Sequence, residues 1–362
     1  MFSLVKLLAL FLVSVKSVEA MYEEDRLREY KVREYEWPLP KYVPDTPGWR
    51  TIFERRFEQI EQTIEETGPR YDAWIQAMAS ALVQPNFTEN GWGLARAPDD
   101  LVQELKQKLH DNLATAPKEN KVNVIESETE ESRPLFIQNY ELNDKVLREL
   151  KPMHEEWAGV ELVGAIAYGL RVYKNDSRLL MHVDKSNTHV ISCILHIDHS
   201  EDSEDWPIVI EDFQGNTNEV VLESGDMLFY ESSKCLHGRP QTFKGSWYSS
   251  IFVHYYPVGW EERDSKNEIH YSIPPHWDKP AEWETDHYKL QMVGTSFKEP
   301  DCKHLWCALK EGRVQKWRGP AIKGEVITTG WEPSSISLGK VENDDDDDYD
   351  DDDDDYEYHD EF

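Results

Sequence analysis

The feature that most constrains the fold of this 362-residue chain is a series of short apolar runs between residues 162 and 257. The runs are rich in Val, Ile, Tyr and Phe, and Gly, Asn, Asp and Ser separate them. Several strands at this spacing are typical of a β-sandwich or barrel. The runs are Leu162–Tyr173, His189–Ile197, Trp206–Ile210, Glu219–Leu222, Met227–Tyr230 and Trp247–Tyr256.

Helical periodicity marks the part of the chain that precedes these strands. Apolar residues between Ile52 and Ile64 recur at helical spacing, and Gly68-Pro69 predicts the end of that helix. A second helix is predicted between Asp72 and Pro85, and a third opens at Pro98 with a leucine stripe that is typical of a packing face. A short helix is predicted between Asn143, as its N-cap, and Pro152.

The first twenty residues have the composition of a signal peptide. Lys6 precedes an apolar run, Leu7–Val15, that is too short to cross a bilayer, and small residues suit a cleavage site after Ala20. We therefore expect the chain to enter the secretory pathway. No later stretch is apolar enough to predict a membrane span.

The other end of the chain is an acidic tail, residues 341–362, with fifteen acidic side chains and no Lys or Arg. Its last four residues, His359–Phe362, resemble an HDEL-type retrieval signal with Phe in place of the terminal Leu. This ending predicts residence in the endoplasmic reticulum (ER) lumen and an ER-retrieval receptor as a partner. The carboxylates of Asp344–Asp355 are suited to weak Ca²⁺ binding, but we slightly favour a purely solubilising tail, because nothing spaces the ligands into a defined site.

Charge and cysteine content narrow the classes of partner and fold. A net charge of −32 at pH 7 would repel phosphate backbones and argues against nucleic acid. Four cysteines are too few for a disulfide scaffold. Cys302 and Cys307 predict a disulfide, whereas Cys193 and Cys235 fit either a second disulfide or two buried thiols. Glycosylation sequons begin at Asn86 and Asn175.

Two imidazoles and a carboxylate in the strand region predict a metal centre. His182-Val183-Asp184 is followed by His237, fifty-three residues after the aspartate. Residues two apart in a strand share a face, so His182 and Asp184 point the same way. Two His and one carboxylate hold non-haem Fe(II) and leave positions open for a 2-oxo acid and O₂. His196-Ile197-Asp198 repeats the pattern, and we favour the first instance because Tyr173 lies nine residues before His182.

The segment from 162 to 257 resembles the 2-oxoglutarate and Fe(II)-dependent dioxygenase superfamily, and most nearly its prolyl 4-hydroxylase-like branch. That branch shows a Tyr, a His-x-Asp motif, a Gly-Asp turn-strand and a distal His, which correspond here to Tyr173, His182 with Asp184, Gly225–Phe229 and His237. The resemblance implies a double-stranded β-helix core with iron held by His182, Asp184 and His237. It also implies that Tyr173 hydrogen-bonds the cosubstrate.

The chain departs from this branch at the expected cosubstrate anchor. The branch places a Lys about ten residues after the distal His, and Ser246 and Trp247 stand there instead. A buried carboxylate needs a charged partner. Lys244 and Arg239 are the two candidates, and each also fits a role without a ligand, as a surface charge or a supporting contact. His189, His196, His199 and His254 are interpreted as strand or loop histidines rather than metal ligands.

These observations predict an α+β chain with a double-stranded β-helix (jelly-roll) core, N-terminal helices packed on it and a small C-terminal extension. The predicted parts are 1–20 (signal peptide), 21–150 (arm and helices), 151–258 (core), 259–340 (extension) and 341–362 (tail). The predicted function is hydroxylation of a secretory-pathway polypeptide at a prolyl residue. The predicted cofactors and cosubstrates are Fe(II), 2-oxoglutarate, O₂ and ascorbate. A catalytically silent ER protein that binds Ca²⁺ or partners, and a cupin-type metalloenzyme without 2-oxoglutarate, are the alternatives.

Overall fold

The computed structural model describes residues 46–65, 70, 73–74, 77–78, 80–260, 298–310 and 313–319. The predicted signal peptide, the acidic tail with its retrieval-like end, and most of the extension lie outside these residues. No helix within the described ranges combines the length and apolarity that crossing a bilayer requires.

Two β-sheets build the centre of the molecule. The larger has the strand order β1-β10-β7-β12-β5-β3, with β4 paired to β12, and the smaller has the order β13-β9-β8-β11-β6-β2. The strands are β1 Trp92–Arg96, β2 Ile125–Ser127, β3 Leu135–Ile137, β4 Leu162–Ala167, β5 Leu170–Lys174, β6 Ser177–His182, β7 Ile191–His199, β8 Ile208–Glu211, β9 Thr217–Val221, β10 Asp226–Tyr230, β11 His237–Arg239, β12 Trp247–Pro257 and β13 Val314–Arg318.

From β5 to β12 the chain crosses repeatedly between the two sheets, and β8 and β9 are the one consecutive pair of these strands in the same sheet. Strands β5, β7, β10 and β12 lie in the larger sheet, and β6, β8, β9 and β11 lie in the smaller one. Four antiparallel strands in each of two facing sheets, with the chain crossing from one to the other, form a double-stranded β-helix. The predicted α+β fold class with a jelly-roll core is therefore confirmed.

The helices pack on this core in two places. They are α1 Pro47–Thr63, α2 Ser80–Val83, α3 Asp99–Asn112 and α4 Tyr140–Ala158. The leucine stripe of α3 and the apolar face of α4 bury against the larger sheet, in a core shared with Leu195 and Phe229. Trp49 and Ile60 of α1 pack instead in the core that fills the barrel interior.

Helix α4 is longer than the sequence predicts. Asn139 is its N-cap, with a side chain that accepts a hydrogen bond from Leu142 N at 3.4 Å, and Gly159 ends it with φ 68°. Pro152 lies inside the helix, although Pro removes one backbone hydrogen bond there. Burial of Val146, Leu150 and Trp157 against the sheet offsets that loss, so the prediction that Pro152 ends the helix is wrong.

Strands from outside the predicted core complete both sheets. Strand β1 pairs with β10, and β2 and β3 pair with β6 and β5, so residues 21–150 contribute strands as well as helices. In the extension, β13 pairs in parallel with β9.

The cysteines and sequons also have defined places. A disulfide joins Cys302 and Cys307, and their Cα atoms lie 5.3 Å apart, whereas Cys193 and Cys235 are buried free thiols. Asn175 is exposed in the turn between β5 and β6, and the side chain of Asn86 instead accepts a hydrogen bond from Lys234 Nζ.

Candidate metal centre

Two neighbouring strands of the smaller sheet bring two imidazoles together. Strand β6 ends at His182, β11 begins at His237, and the two residues are directly paired across the antiparallel ladder. Their ring centroids lie 4.5 Å apart. His237 therefore reaches His182 from the adjacent strand of the same sheet, and not from the opposite side of the barrel.

The carboxylate of Asp184 completes the group. Asp184 follows β6 by two residues, and its backbone N–H donates to Ser232 O at 2.9 Å. Its Oδ1 lies 3.5 Å from His182 Nε2, and its Oδ2 lies 3.8 Å from His237 Nε2. One ligand atom from each of the three residues lies within 4.8 Å of the others. This spacing suits a single ion with bonds of about 2.0–2.2 Å.

Backbone carbonyls fix the tautomers of both imidazoles. His182 Nδ1 lies 2.6 Å from Leu180 O, and His237 Nδ1 lies 2.9 Å from Cys235 O. Because a carbonyl oxygen only accepts, each Nδ1 carries the proton and donates it. Each Nε2 is then left with a lone pair that points toward Asp184, as metal-ligating histidines require.

The site also favours the protonation states that bind a cation. Burial, and then the neighbouring His182, lower the pKa of His237 to about 4. Burial alone would raise the pKa of Asp184, but His237, His182 and His254 together hold it well below its usual range. At neutral pH the site therefore combines a neutral imidazole at His237 with an ionised carboxylate, the forms that coordinate metals.

The site contains a buried carboxylate oxygen that lacks a hydrogen-bond donor in the described part of the chain and that a cation could coordinate. Asp184 Oδ2 is buried and accepts no hydrogen bond from the described residues. A buried ionised oxygen without a partner is costly, and coordination to a divalent ion would remove that cost. The donor set of two imidazoles and one carboxylate fits Fe(II) with positions left open.

Beside the triad lies a buried cation, Arg239. It follows His237 by two residues on β11 and is 2% exposed. Its guanidinium lies 4.7 Å from the ring centroids of both Trp206 and Tyr248, and it donates to Trp206 O and, at 3.1 Å, to Tyr248 Oη. Both partners are neutral, and no carboxylate among the described residues pairs with Arg239. A buried charge without a counter-ion favours an anionic ligand.

Lys244, the other candidate anchor, faces solvent. Its side chain is 52% exposed and forms an ion pair with Asp176 at 2.5 Å, in the turn between β5 and β6. Ser246, at the position where a Lys was expected, hydrogen-bonds Asp202 at the surface. The structure thus brings Arg239 into the interior and leaves Lys244 outside it.

Tyr173 lies in the interior as well. It is fully buried on β5, and its ring contacts Trp206 edge to face at 4.9 Å. Its hydroxyl interacts with the guanidinium of Arg171. A guanidinium only donates, so the hydroxyl proton of Tyr173 stays available to a ligand.

Sequence reasoning missed the position of His254. Its Nδ1 lies 3.8 Å from Asp184 Oδ2 and 2.7 Å from Ser192 Oγ, and its ring stacks on His189 at 3.9 Å. His189 Nε2 in turn hydrogen-bonds Tyr168 Oη at 3.1 Å. The signal was available, because His254 lies six positions after Tyr248 on one predicted strand, and an even offset puts both side chains on the same face.

Comparisons with known proteins return matches among solved structures. No family model matches the chain, and no curated protein does. A prolyl-4-hydroxylase from Pseudomonas putida is 16% identical, covers 50% of this chain and 100% of its own, and has a TM-score of 0.35. HygX from Streptomyces hygroscopicus, with nickel and 2-oxoglutarate bound, is 10% identical. The match covers 47% of this chain and 84% of HygX, with a TM-score of 0.35.

A third match is a prolyl hydroxylase from Trichoplax adhaerens in complex with a peptide fragment of hypoxia inducible factor. It is 8% identical, covers 51% of this chain and 93% of its own, and has a TM-score of 0.37. A solved structure of a 2OG-Fe(II) oxygenase from Burkholderia pseudomallei is also similar. At these identities and scores, a functional conclusion depends on the residues of the site itself.

Proposed function

We propose that this protein is an Fe(II)- and 2-oxoglutarate-dependent dioxygenase. The observation that carries the proposal is the convergence of His182, Asp184 and His237 beside Arg239, a buried guanidinium without a carboxylate partner. The triad accounts for the metal, and Arg239 accounts for an anionic cosubstrate in the same barrel. A metal centre alone would leave the buried charge of Arg239 unexplained.

Each residue has a defined task in this mechanism. His182, Asp184 and His237 would hold Fe(II), which supplies O₂ activation coupled to decarboxylation of the 2-oxo acid. Arg239 pairs with the far carboxylate of 2-oxoglutarate, and Trp206 and Tyr248 hold its guanidinium plane in place. Tyr173 donates its hydroxyl proton to the cosubstrate. The apolar interior excludes water and strengthens each of these contacts.

We propose a prolyl residue of a secretory-pathway polypeptide as the substrate and the ER lumen as the location. The signal-like residues 1–20, the retrieval-like end His359–Phe362 and the resemblance to the prolyl 4-hydroxylase-like branch support this choice. Recognition by a retrieval receptor and weak Ca²⁺ binding by Asp344–Asp355 belong to the same proposal. Ascorbate would keep the iron in its reduced state.

The test is succinate release by the purified protein with Fe(II), ascorbate and 2-oxoglutarate, with and without proline-containing peptides. We expect release that peptides stimulate and that His182→Ala abolishes. Mass spectrometry of the peptide should show a gain of one oxygen at proline. A protein that binds no iron and releases no succinate under any of these conditions would favour a silent binding protein instead.

A further inference from the structure

A second buried arginine faces the barrel interior. Arg171 precedes Tyr173 by two residues on β5, so the two side chains share a face. The guanidinium of Arg171 lies 5.0 Å from the ring centroid of Phe252 and 6.0 Å from that of Tyr173. Burial raises the pKa of Tyr173, while the charges of Arg171 and Arg239 both act to lower it. Tyr173 and Arg239 also both contact the ring of Trp206, at 4.9 Å and 4.7 Å, so Tyr173 lies close to both cations.

Unlike Arg239, Arg171 has a carboxylate partner, Glu119. Arg171 Nε lies 2.7 Å from Glu119 Oε2, and its NH2 lies 2.6 Å from Oε1, which makes the pair bidentate. Both residues are buried. This is the strongest geometry available to an Arg–carboxylate pair, and it neutralises the charge inside the barrel.

Glu119 comes from outside the eight strands of the double-stranded β-helix. It lies between α3 and β2, and its backbone N–H donates to Pro134 O at 2.7 Å. Lys118 forms a bridge with Leu135, and Phe136 N donates to Pro117 O at 2.9 Å. These bonds extend the larger sheet past β3 and bring the Glu119 carboxylate to Arg171.

We propose that Glu119 is a specificity-determining residue that reserves the barrel interior for a single ligand carboxylate at Arg239. The inference rests on the proposed function, because it assumes that an anionic cosubstrate binds beside the triad. Arg171 and Arg239 are both buried and both lie close to Tyr173. Glu119 neutralises Arg171, so the positive charge of Arg239 is left to bind the ligand. With one positive charge available, the ligand carboxylate binds in one orientation.

Removing the negative charge of Glu119 should therefore create a second anion site. In Glu119→Gln the side chain keeps its shape and one acceptor, but the carboxylate charge that pairs with Arg171 is removed. A buried guanidinium that loses a bidentate carboxylate either recruits an anion or destabilises the fold. The double variant Glu119→Gln/Arg171→Gln removes both charges. It should therefore restore the net charge that the wild type has in the barrel interior.

The experiment is calorimetric titration of the metal-free, full-length protein with succinate, a dicarboxylate without a metal-chelating end. We expect one site in the wild type, two in Glu119→Gln, and one in the double variant. Arg239→Gln should lose the wild-type site, with affinity lower by roughly tenfold or more. Thermal melting with and without succinate gives a second readout, in which Glu119→Gln should gain more stability from succinate than the wild type does.

Several results would overturn the proposal. One is a folded Glu119→Gln that binds one succinate with wild-type affinity. Another is a Glu119→Gln that stays unfolded in saturating succinate. A third is loss of the wild-type site in Arg171→Gln rather than in Arg239→Gln. The contrast between Glu119→Gln and the double variant needs neither metal nor turnover, so its failure is distinguishable from a failure of the dioxygenase proposal.

Discussion

The chain contains two His-x-Asp segments in its β-helix, and their side chains are arranged differently. In residues 182–184 both side chains point to the same place, where Asp184 Oδ1 lies 3.5 Å from His182 Nε2. In residues 196–198 they diverge. His196 faces inward and stacks on Tyr248 at 4.1 Å, whereas Asp198 faces outward and contacts His110 and Lys106 of α3.

A β-bulge explains the difference. On β12, the adjacent residues Ser249 and Ser250 pair with Asp198 and His196 of β7, so Ile197 is an extra residue in the ladder. A bulge of this kind reverses the side-chain alternation beyond it. Asp198 is thereby turned to the helix-covered face of the larger sheet, and the second segment has no carboxylate beside its imidazole.

The comparison shows that spacing alone does not make a ligand pair. The first segment works because β6 ends at His182 and the chain then turns, with Asp184 N bonded to Ser232 O. The second segment lies within a long strand whose register is set by β12. The same tripeptide pattern is therefore a candidate metal site in one place and a packing element in the other.

The largest expected effect separates the two aspartates. Asp184→Ala should lower the affinity for Fe(II), or for Co(II) as a spectroscopic substitute, by more than about 100-fold, because loss of a ligand exceeds the 10–100-fold effect of an outer contact. Asp198→Ala is the matched control and should leave the affinity within about twofold, since its ion pairs with α3 are partly exposed. Anaerobic metal titration of both variants measures this. Equal losses in the two variants would contradict the assignment.

The next effect concerns the two basic residues near β11. Arg239→Gln should raise the KM for 2-oxoglutarate by roughly 10–100-fold, because a charge-assisted hydrogen bond contributes about 1.5–3 kcal/mol. Lys244→Gln should change it by less than about twofold, because its ion pair with Asp176 is exposed. Steady-state kinetics with varied 2-oxoglutarate distinguishes them. A larger effect at Lys244 than at Arg239 would reverse the choice of anchor.

Much of the fold was readable because its signals are local. Strand-like composition, the leucine stripe of α3 and the first His-x-Asp all depend on neighbouring residues, and the structure places them in the β-helix, on the larger sheet and in one cluster. The strand β11 is only three residues long, too short to give a periodic signal. The roles of Arg171 and Glu119 depend on contacts between residues 52 positions apart, which no local pattern encodes.

The smallest expected effect tests whether His196 is a neutral support rather than a ligand. Its Nδ1 lies 3.0 Å from Ser249 O and its Nε2 lies 2.9 Å from His199 Nδ1, so both ring nitrogens are engaged. Burial, and then repulsion from Arg239, hold the pKa of His196 well below its ordinary value. The imidazole is therefore neutral in the folded protein, and it stacks on the ring that also contacts the Arg239 guanidinium.

The sign of the pH effect follows from that lowered pKa. In the unfolded chain His196 takes up a proton near pH 6.5, so its contribution to stability is complete above that pH and is lost as the pH falls below it. The wild type should be more stable than His196→Phe at pH 7.5, and this advantage should shrink by about 1.4 kcal/mol at pH 5.5. Urea unfolding at both pH values measures the difference. An advantage that stays constant between them would mean that His196 has the same pKa in the folded and the unfolded chain, so that the fold does not hold it neutral beside Arg239.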